Sequence, residues 1–594
     1  MPACRTASPA YLNNLRGILL CLSILLSPLA AEADDTISLF IQQRLEQLYF
    51  EEQNKIGEEP IYCASYLLDL YRKNQFQLLW TNPDNIGQLL SAIIASADEG
   101  LIPDDYHLKA ITRYDTELKE TSSMAKNVEY DLLLSDALVL LGQHKRFGKV
   151  NPREVEEKYT LESAPPRSSP SDTYLAAIRT STVRMTLDQR SPDHQAYINL
   201  KQALTQYRKI ASNGGWQQIP GGPSLKPGMR DDRVAALRKR LTVTGDFHSK
   251  GSNDPTLYDD TLVAAVKTFQ ARHHMEPDGA IGKTTLQAMN VSVADRINQI
   301  RVNLERTRWV IRDMPSSSLI VDIAGFKVHY YHQDKLIWSS KVMVGQPFHQ
   351  TPVFRSAVTY VVLNPTWTIP PDIVKNETIP TIIKDKNHLQ KQHLRAFDSS
   401  GIEVDQTLIP WNQYLGKHLP YTLRQDSGAD NSLGLIKFLF PNPYHVYLHD
   451  TPSKSLFGRA HRAFSHGCIR VQNPIALGKM LLANDPGNTT TGEKFDQIIA
   501  SGKTTTVILK QPLPIFLMYL TTNVQDGVVL FKPDLYSRDP GIFNALNRPP
   551  ASLKQPTQNP ESRGQQSITT GKNENHLPPQ ERGTTGLQYA QGTL

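Results

Sequence analysis

The segment His445–Val471 reads HVYLHDTPSKSLFGRAHRAFSHGCIRV. It holds Cys468, one of four cysteines in the chain, behind Ser465-His466-Gly467, and a second histidine, His449, closes a strand-like run upstream. A thiol nucleophile needs a base to become a thiolate at neutral pH, and backbone donors to receive an oxyanion. Glycine before the nucleophile lets the turn aim successive N–H groups inward, so the amides of Gly467 and Cys468 are the expected oxyanion donors. His449, nineteen positions before the cysteine and at a strand end, is the expected general base and acid. His466 lies in the same tight turn, lines up poorly with the sulfur, and is assigned to steadying the loop or the substrate. Arg470 is expected to pair with a substrate carboxylate, or to hold the local potential positive and so lower the thiol pKa. The pattern predicts a cysteine acyl-transfer enzyme.

The rest of the chain sets the context. At 594 residues it exceeds one core and predicts several domains. A net charge of +6 without a concentrated basic stripe argues against nucleic acid as a partner. Arg5 and Arg16 precede the apolar run Gly17–Leu26, and Ala31-Glu32-Ala33 offers a small-x-small cleavage site. Residues 1–33 therefore predict a secretory signal peptide, the alternative being an uncleaved membrane anchor. Cleavage leaves Cys63 and Cys468, which is no disulfide scaffold. A lone thiol kept in an oxidising compartment calls for a chemical reason, whereas Cys63 is expected to be a buried small apolar residue.

In chain order, residues 34–215 carry helical periodicity and predict an all-α scaffold domain. Residues 165–170 (PPRSSP) read as a loop within it. Breakers at Gly214-Gly215 and Pro220-Gly221-Gly222-Pro223 precede a three-helix unit over 225–292, with faces at Val234/Leu237/Leu241 and Leu262/Ala265/Val266/Phe269 and a Pro277-Asp278-Gly279 turn. A connecting helix is expected over 294–312. Half-buried strands then dominate to 509, giving a mostly-β catalytic domain over 318–509. The stretch between Pro371 and the strand at His445–His449 is too long for an idle loop. It predicts an inserted capping subdomain at about 372–435 bearing Trp411, Tyr414 and Tyr421. Residues 510–539 are read as a C-terminal extension with a hairpin at Asp526-Gly527, and 540–594 as a disordered tail. The fold class is multidomain α+β.

The unit at 229–290, with its Asp-Gly-x-Ile-Gly turn, resembles the small peptidoglycan-binding domain of cell-wall enzymes. The histidine, the spacing, and Ser465-His466-Gly467-Cys468 with Arg470 resemble the signature of L,D-transpeptidases of the YkuD type. Tyr447-Leu448-His449-Asp450-Thr451-Pro452 and Asn364-Pro365-x-Trp367-x-Ile369-Pro370 are similar to the large periplasmic YcbB-like branch. That resemblance covers roughly 36–538. It implies Cys468 as nucleophile and His449 as base, with Ser465, His466, Gly467 and Arg470 completing the motif and Tyr447 and Trp367 contacting substrate. It implies 3→3 crosslinking of peptidoglycan stem peptides, a tetrapeptide donor and a diamino-acid acceptor, with loss of D-alanine. It further implies acylation by carbapenems, a periplasmic site, association with other cell-wall synthesis enzymes, and no cofactor or metal. Three other readings stay open. One is a cysteine carboxypeptidase or endopeptidase using the same nucleophile. Another is a zinc-dependent wall amidase built from His445, His449, Asp450, His461, His466 and Cys468, although no His-Glu-x-x-His helix is present. The last is a non-enzymatic wall-binding scaffold.

Overall fold

The computed structural model describes residues 36–50, 54–121, 123–156, 159, 170–248 and 254–554. The expected signal peptide, most of the expected loop at 165–170, and residues 555–594 lie outside these. No helix of the described residues is long and apolar enough to cross a membrane.

The N-terminal part is helical: α1 (36–50), α2 (Ala64–Lys73), α3 (Pro83–Ala95), α4 (Leu108–Glu120), α5 (Met124–Phe147), α6 (Pro170–Arg179), α7 (Val183–Asp188) and α8 (Gln195–Ser212). Helix α5 is buried on every side from Tyr130 to Lys145, so its polar residues need internal partners. Asp131 accepts the N–H groups of Leu79 and Trp80 and the Tyr71 hydroxyl. Asp136 accepts the Cys63 N–H at 2.7 Å and lies 2.8 Å from His107 Nε2. Cys63 is fully buried, and that burial pushes its thiol well above the usual range. It is chemically inert there.

Burial works against the charge on His107, but hydrogen bonds to Asp136 and Glu59 outweigh it and lift the pKa from 6.5 to about 9. A histidine whose folded pKa is raised contributes stability that is complete below the unfolded value and lost as pH rises through the folded one. The stability of the helical part should therefore fall by about 3 kcal/mol between pH 6.5 and 9. Denaturant midpoints across that window test this. His107→Gln should flatten the slope, and an unchanged slope in that variant would refute the assignment.

Helices α9 (Arg233–Val243), α10 (Asp260–Arg272) and α11 (Lys283–Asn290) form the second unit around Val234, Leu237, Leu262, Val266, Phe269 and Met289. Its Asp278-Gly279 turn is tied down by Gln270, which donates to Asp278 and accepts from the Gly279 N–H. Helix α12 (Val293–Val310) follows. It packs on α8, and its last turns bury Glu305, Arg306 and Arg308.

The third unit is one nine-stranded sheet. Its strands are β1 (Ser318–Asp322), β2 (Lys327–His332), β3 (Lys335–Gly345), β4 (Phe354–Leu363), β9 (Ile436–Leu439), β10 (Leu448–His449), β11 (Ala463–Ser465), β12 (Ile469–Val471) and β13 (Thr505–Met518), in the order β11-β3-β12-β10-β9-β4-β13-β1-β2. The first half of β3 also pairs with β2, while its last residues pair with β12 and β11, so the sheet closes on itself. Alternate residues such as Val321, Val328, Val361, Phe438, Leu448 and Val471 fill the interior.

Between β4 and β9 lies a subdomain with its own core, built on β5 (Trp367–Thr368), β6 (Leu394–Phe397), β7 (Glu403–Val404) and β8 (Thr422–Gln425) in the order β5-β8-β6-β7. It starts at Trp367 rather than 372. Trp411, Tyr414 and Tyr421 pack against its own core. The sequence reading overlooked β9, a central strand whose alternation at Ile436, Phe438 and Phe440 is short and follows a Gly-rich run.

The C-terminal boundaries also differ. Residues 510–539 do not begin an appendage, because β13 continues to Met518 and pairs in parallel with β1 over Ile515–Met518. The expected hairpin is present as β14 (Thr522–Gln525) and β15 (Val528–Phe531). Disorder does not begin at 540. Helix α13 (Asp539–Leu546) buries Ile542 and Leu546, and the Leu553 N–H reaches the Tyr62 carbonyl at 2.7 Å. Two apolar residues one helical turn apart suffice to dock this segment, and an average over a polar tail conceals them.

Candidate active site

Cys468 sits half-buried in the turn between β11 and β12. Gly467 has φ +111°, a backbone state that side-chain-bearing residues rarely adopt. The turn is clamped by hydroxyls. Ser465 Oγ donates to the Cys468 carbonyl at 2.6 Å and accepts the Gly467 N–H at 3.2 Å. Thr351 donates to the Gly467 carbonyl at 2.8 Å. Thr351 Oγ1 in turn accepts the Gly345 N–H, and the Tyr536 hydroxyl donates to the Gly345 carbonyl. The expectation that the Gly467 amide is a free oxyanion donor is therefore corrected: Ser465 occupies it.

The sulfur faces His445 and Tyr447. Its S–H points at the His445 carbonyl 3.7 Å away, and the backbone and side chain of Tyr447 both favour its thiolate. The Trp367 side chain acts on the Tyr447 hydroxyl in turn and lowers its pKa against the effect of burial, so β5 of the inserted subdomain lies beside the residue that faces the nucleophile. Lys437 on β9 places its ammonium 4.0 Å from the centre of the Tyr447 ring. No ion pair engages Lys437 among the described residues, and its charge acts on Cys468. Sequence reasoning missed Lys437 because it missed β9; the period-two pattern there would have put it on the face opposite Phe438.

His449 lies on β10, in parallel register with β12 (Leu448 beside Ile469, His449 beside Arg470). Its Nδ1–H donates to the Asp450 carbonyl at 2.5 Å, which leaves Nε2 as the basic nitrogen. Among the described residues no hydrogen bond joins His449 to the sulfur. Burial, followed by the charge of Arg470, drives the His449 pKa down to about 3. Burial likewise raises the thiol pKa, against the effect of Tyr447 and the charges of Lys437 and Arg470. Arg470 does press the thiol pKa down, as expected, but desolvation outweighs it, so the thiol ends above its ordinary value beside a neutral imidazole. Burial also lowers the pKa of Arg470, whose buried Nε has no hydrogen-bond partner.

His466 turns to the inserted subdomain. Its Nε2–H donates to Glu377 Oε1 at 2.6 Å, and its ring lies 4.8 Å from that of His349. Asp450 accepts the Leu435 N–H and pairs with Lys454, while His461 packs near Phe326. Among the described residues no three His, Cys, Asp or Glu side chains are grouped to hold a metal, so the six residues weighed as a zinc set are not brought together. A groove of about 880 Å³ runs over the helical part beside Arg184, Asp188 and Arg312, and none of the residues above lines it.

Comparison with known proteins gives three matches along the chain. Residues 65–204 match a scaffold domain, 230–289 a "Putative peptidoglycan binding domain", and 316–508 an L,D-transpeptidase catalytic domain of the YkuD family. A "Putative L,D-transpeptidase" of Haemophilus influenzae is 35% identical over 241 residues, which is 41% of this chain and 48% of that protein. The chain thus spans about half the length of that relative. Among solved structures, the ertapenem-acylated catalytic domain of the Enterococcus faecium L,D-transpeptidase is similar at 12% identity, covering 35% of this chain and 99% of that one with a TM-score of 0.16. An L,D-transpeptidase from Xylanimonas cellulosilytica is similar at 14% identity, covering 50% and 99% with a TM-score of 0.14.

Proposed function

We propose that this chain, which carries an L,D-transpeptidase catalytic domain beside scaffold and peptidoglycan-binding domains, forms 3→3 crosslinks between peptidoglycan stem peptides through a Cys468 acyl-enzyme. The observation that carries this reading is a hydroxyl-clamped turn presenting one thiol to Tyr447, with a neutral histidine on the neighbouring strand and an inserted subdomain alongside. Cys468 loses its proton to His449 as substrate enters. The sulfur attacks the L,D-amide carbonyl of a tetrapeptide donor, the C–N bond breaks, and His449 returns the proton to the departing D-alanine amine. The oxyanion is received by the Cys468 amide and the Tyr447 hydroxyl, with Lys437 and Arg470 supplying positive potential. Ser465 and Gly467 hold the turn, His466 steadies it, and Trp367 orients Tyr447. An amine on a neighbouring stem then attacks the thioester, breaking the C–S bond and restoring the thiol. Carbapenems acylate the same sulfur. The peptidoglycan-binding and L,D-transpeptidase domains support a cell-wall location, and we assign the protein to the periplasm, with residues 1–33 as its signal peptide.

Incubating the protein with disaccharide-tetrapeptide and resolving products by mass tests the reading. Dimers appearing with stoichiometric D-alanine support it. Tripeptide without dimer would replace it with the carboxypeptidase alternative.

A further inference from the structure

Glu377 belongs to a single π-helical turn (Val374–Thr378) in the inserted subdomain. Such turns interrupt a helix at an energetic cost and recur at functional sites. Here Val374 and Thr378 are buried and hold the turn, while the side chain between them leaves the subdomain to reach the Ser465–Cys468 loop. Glu377 Oε1 is taken by His466 Nε2–H, and Oε2 has no partner among the described residues. Because the carboxylate fixes the proton on Nε2, the His466 Nδ1 carries a lone pair. His349 flanks the same ring. The groups at the sulfur are otherwise cationic or neutral: Lys437 and Arg470 press on Cys468, and the Asp450 carboxylate is already occupied by Leu435 and Lys454. An incoming ammonium is repelled by that potential unless a carboxylate stands at the entrance. Glu377 is placed to be that carboxylate.

We propose that Glu377 receives the acceptor amine of the second half-reaction, with Oε2 binding the ammonium while Oε1 stays on His466 Nε2–H. This rests on the transpeptidase reading above. The ammonium gives one proton to water, and the free amine attacks the thioester carbonyl. The C–N bond forms and the C–S bond breaks. The second nitrogen proton goes, by way of His449, to the departing thiolate, which becomes the thiol again. The substrate class this adds is a cationic primary amine, selected over water by charge.

The test compares half-reactions in the full chain and in Glu377→Gln and Glu377→Asp, using disaccharide-tetrapeptide as donor and acceptor. Losing one charge-assisted hydrogen bond should lower the ratio of dimer to hydrolysed tripeptide about tenfold in Glu377→Gln. Glu377→Asp should recover part of that ratio. The first-turnover release of D-alanine, which precedes acceptor binding, is the internal baseline. Hydroxylamine, uncharged at neutral pH, should capture the thioester equally well in wild type and Glu377→Gln. An unmoved dimer ratio with normal D-alanine release overturns this inference alone. So does a parallel loss of hydroxylamine capture, which would make Glu377 a mere brace for the loop. No D-alanine release from the wild type would instead overturn the transpeptidase reading.

Discussion

Replacing Cys468 with alanine should abolish the carbapenem adduct and reduce D-alanine release by about four orders of magnitude or more, with the fold intact. The fold survives because the sulfur supports little of it. Its one hydrogen-bond donation is a weak S–H contact of 3.7 Å to the His445 carbonyl, whereas the turn is held by Ser465 and Thr351. The chemistry fails because the other thiol among the described residues, Cys63, is buried in the helical part, and the Ser465 hydroxyl is engaged in holding the turn. The same geometry fixes a pH signature. Burial raises the thiol pKa above its ordinary 9.0, and His449 is neutral throughout the physiological range. Alkylation of the free protein by iodoacetamide should therefore keep climbing as pH rises past 9, without a plateau near neutrality. Intact mass after carbapenem treatment, wild type beside Cys468→Ala, checks the first expectation, and alkylation rates across pH check the second. An adduct on the alanine variant would remove Cys468 from the mechanism. A plateau below pH 7 would show a preformed thiolate–imidazolium pair and contradict the neutral resting state.

What could be read from residues alone follows from how local the signal is. The Ser-His-Gly-Cys turn is contiguous, and its chemistry requires those residue types, so Cys468 and His449 stand out without any structure. The helical faces of the first two units repeat at a period that survives averaging, as Val234, Leu237 and Leu241 show. Signals that depend on pairing across the chain were lost. Strand β9 is four residues long, and its membership in the sheet comes from β4 and β10 on either side, so Lys437 went unseen. Glu377 is distinguished by a contact spanning 89 positions. The sign of the thiol shift depends on how much protein surrounds the sulfur, a quantity that no count of neighbouring arginines supplies. The docking of 540–546 turned on two residues, Ile542 and Leu546, inside a segment judged by its mean composition.

Helix α12 carries the largest expected effect on stability. Arg308 is buried, donates to Glu305 Oε2 at 2.8 Å and to the Glu99 carbonyl at 2.5 Å, and stacks 5.4 Å from the Tyr197 ring. Glu305 also accepts the Val150 N–H at 2.6 Å, and Glu99 gathers Ser191, Tyr197 and Lys201. Burial alone would raise the Glu99 pKa, yet the charges of Lys145, Arg308 and Lys201 overcome it and hold the carboxylate at about 2. Removing the guanidinium therefore strands the buried Glu305 carboxylate, while Glu99 keeps Lys145 and Lys201. Arg308→Met should cost about 3–5 kcal/mol, because breaking one side of a buried pair leaves an uncompensated charge. The double variant Arg308→Met/Glu305→Leu should cost less than the sum of the single changes by about 1 kcal/mol or more, since it withdraws the stranded anion while forfeiting the Val150 bond. Denaturant unfolding of the four proteins closes the cycle. The cluster's partners lie in the helical scaffold, so carbapenem acylation of the folded variants should persist at low temperature while their unfolding midpoints drop. A single-variant loss under about 1 kcal/mol would mean that water enters and relieves the charges. The helix would then join the scaffold to the sheet through other contacts, namely Asn303 to Thr521 and Arg306 to Asp539.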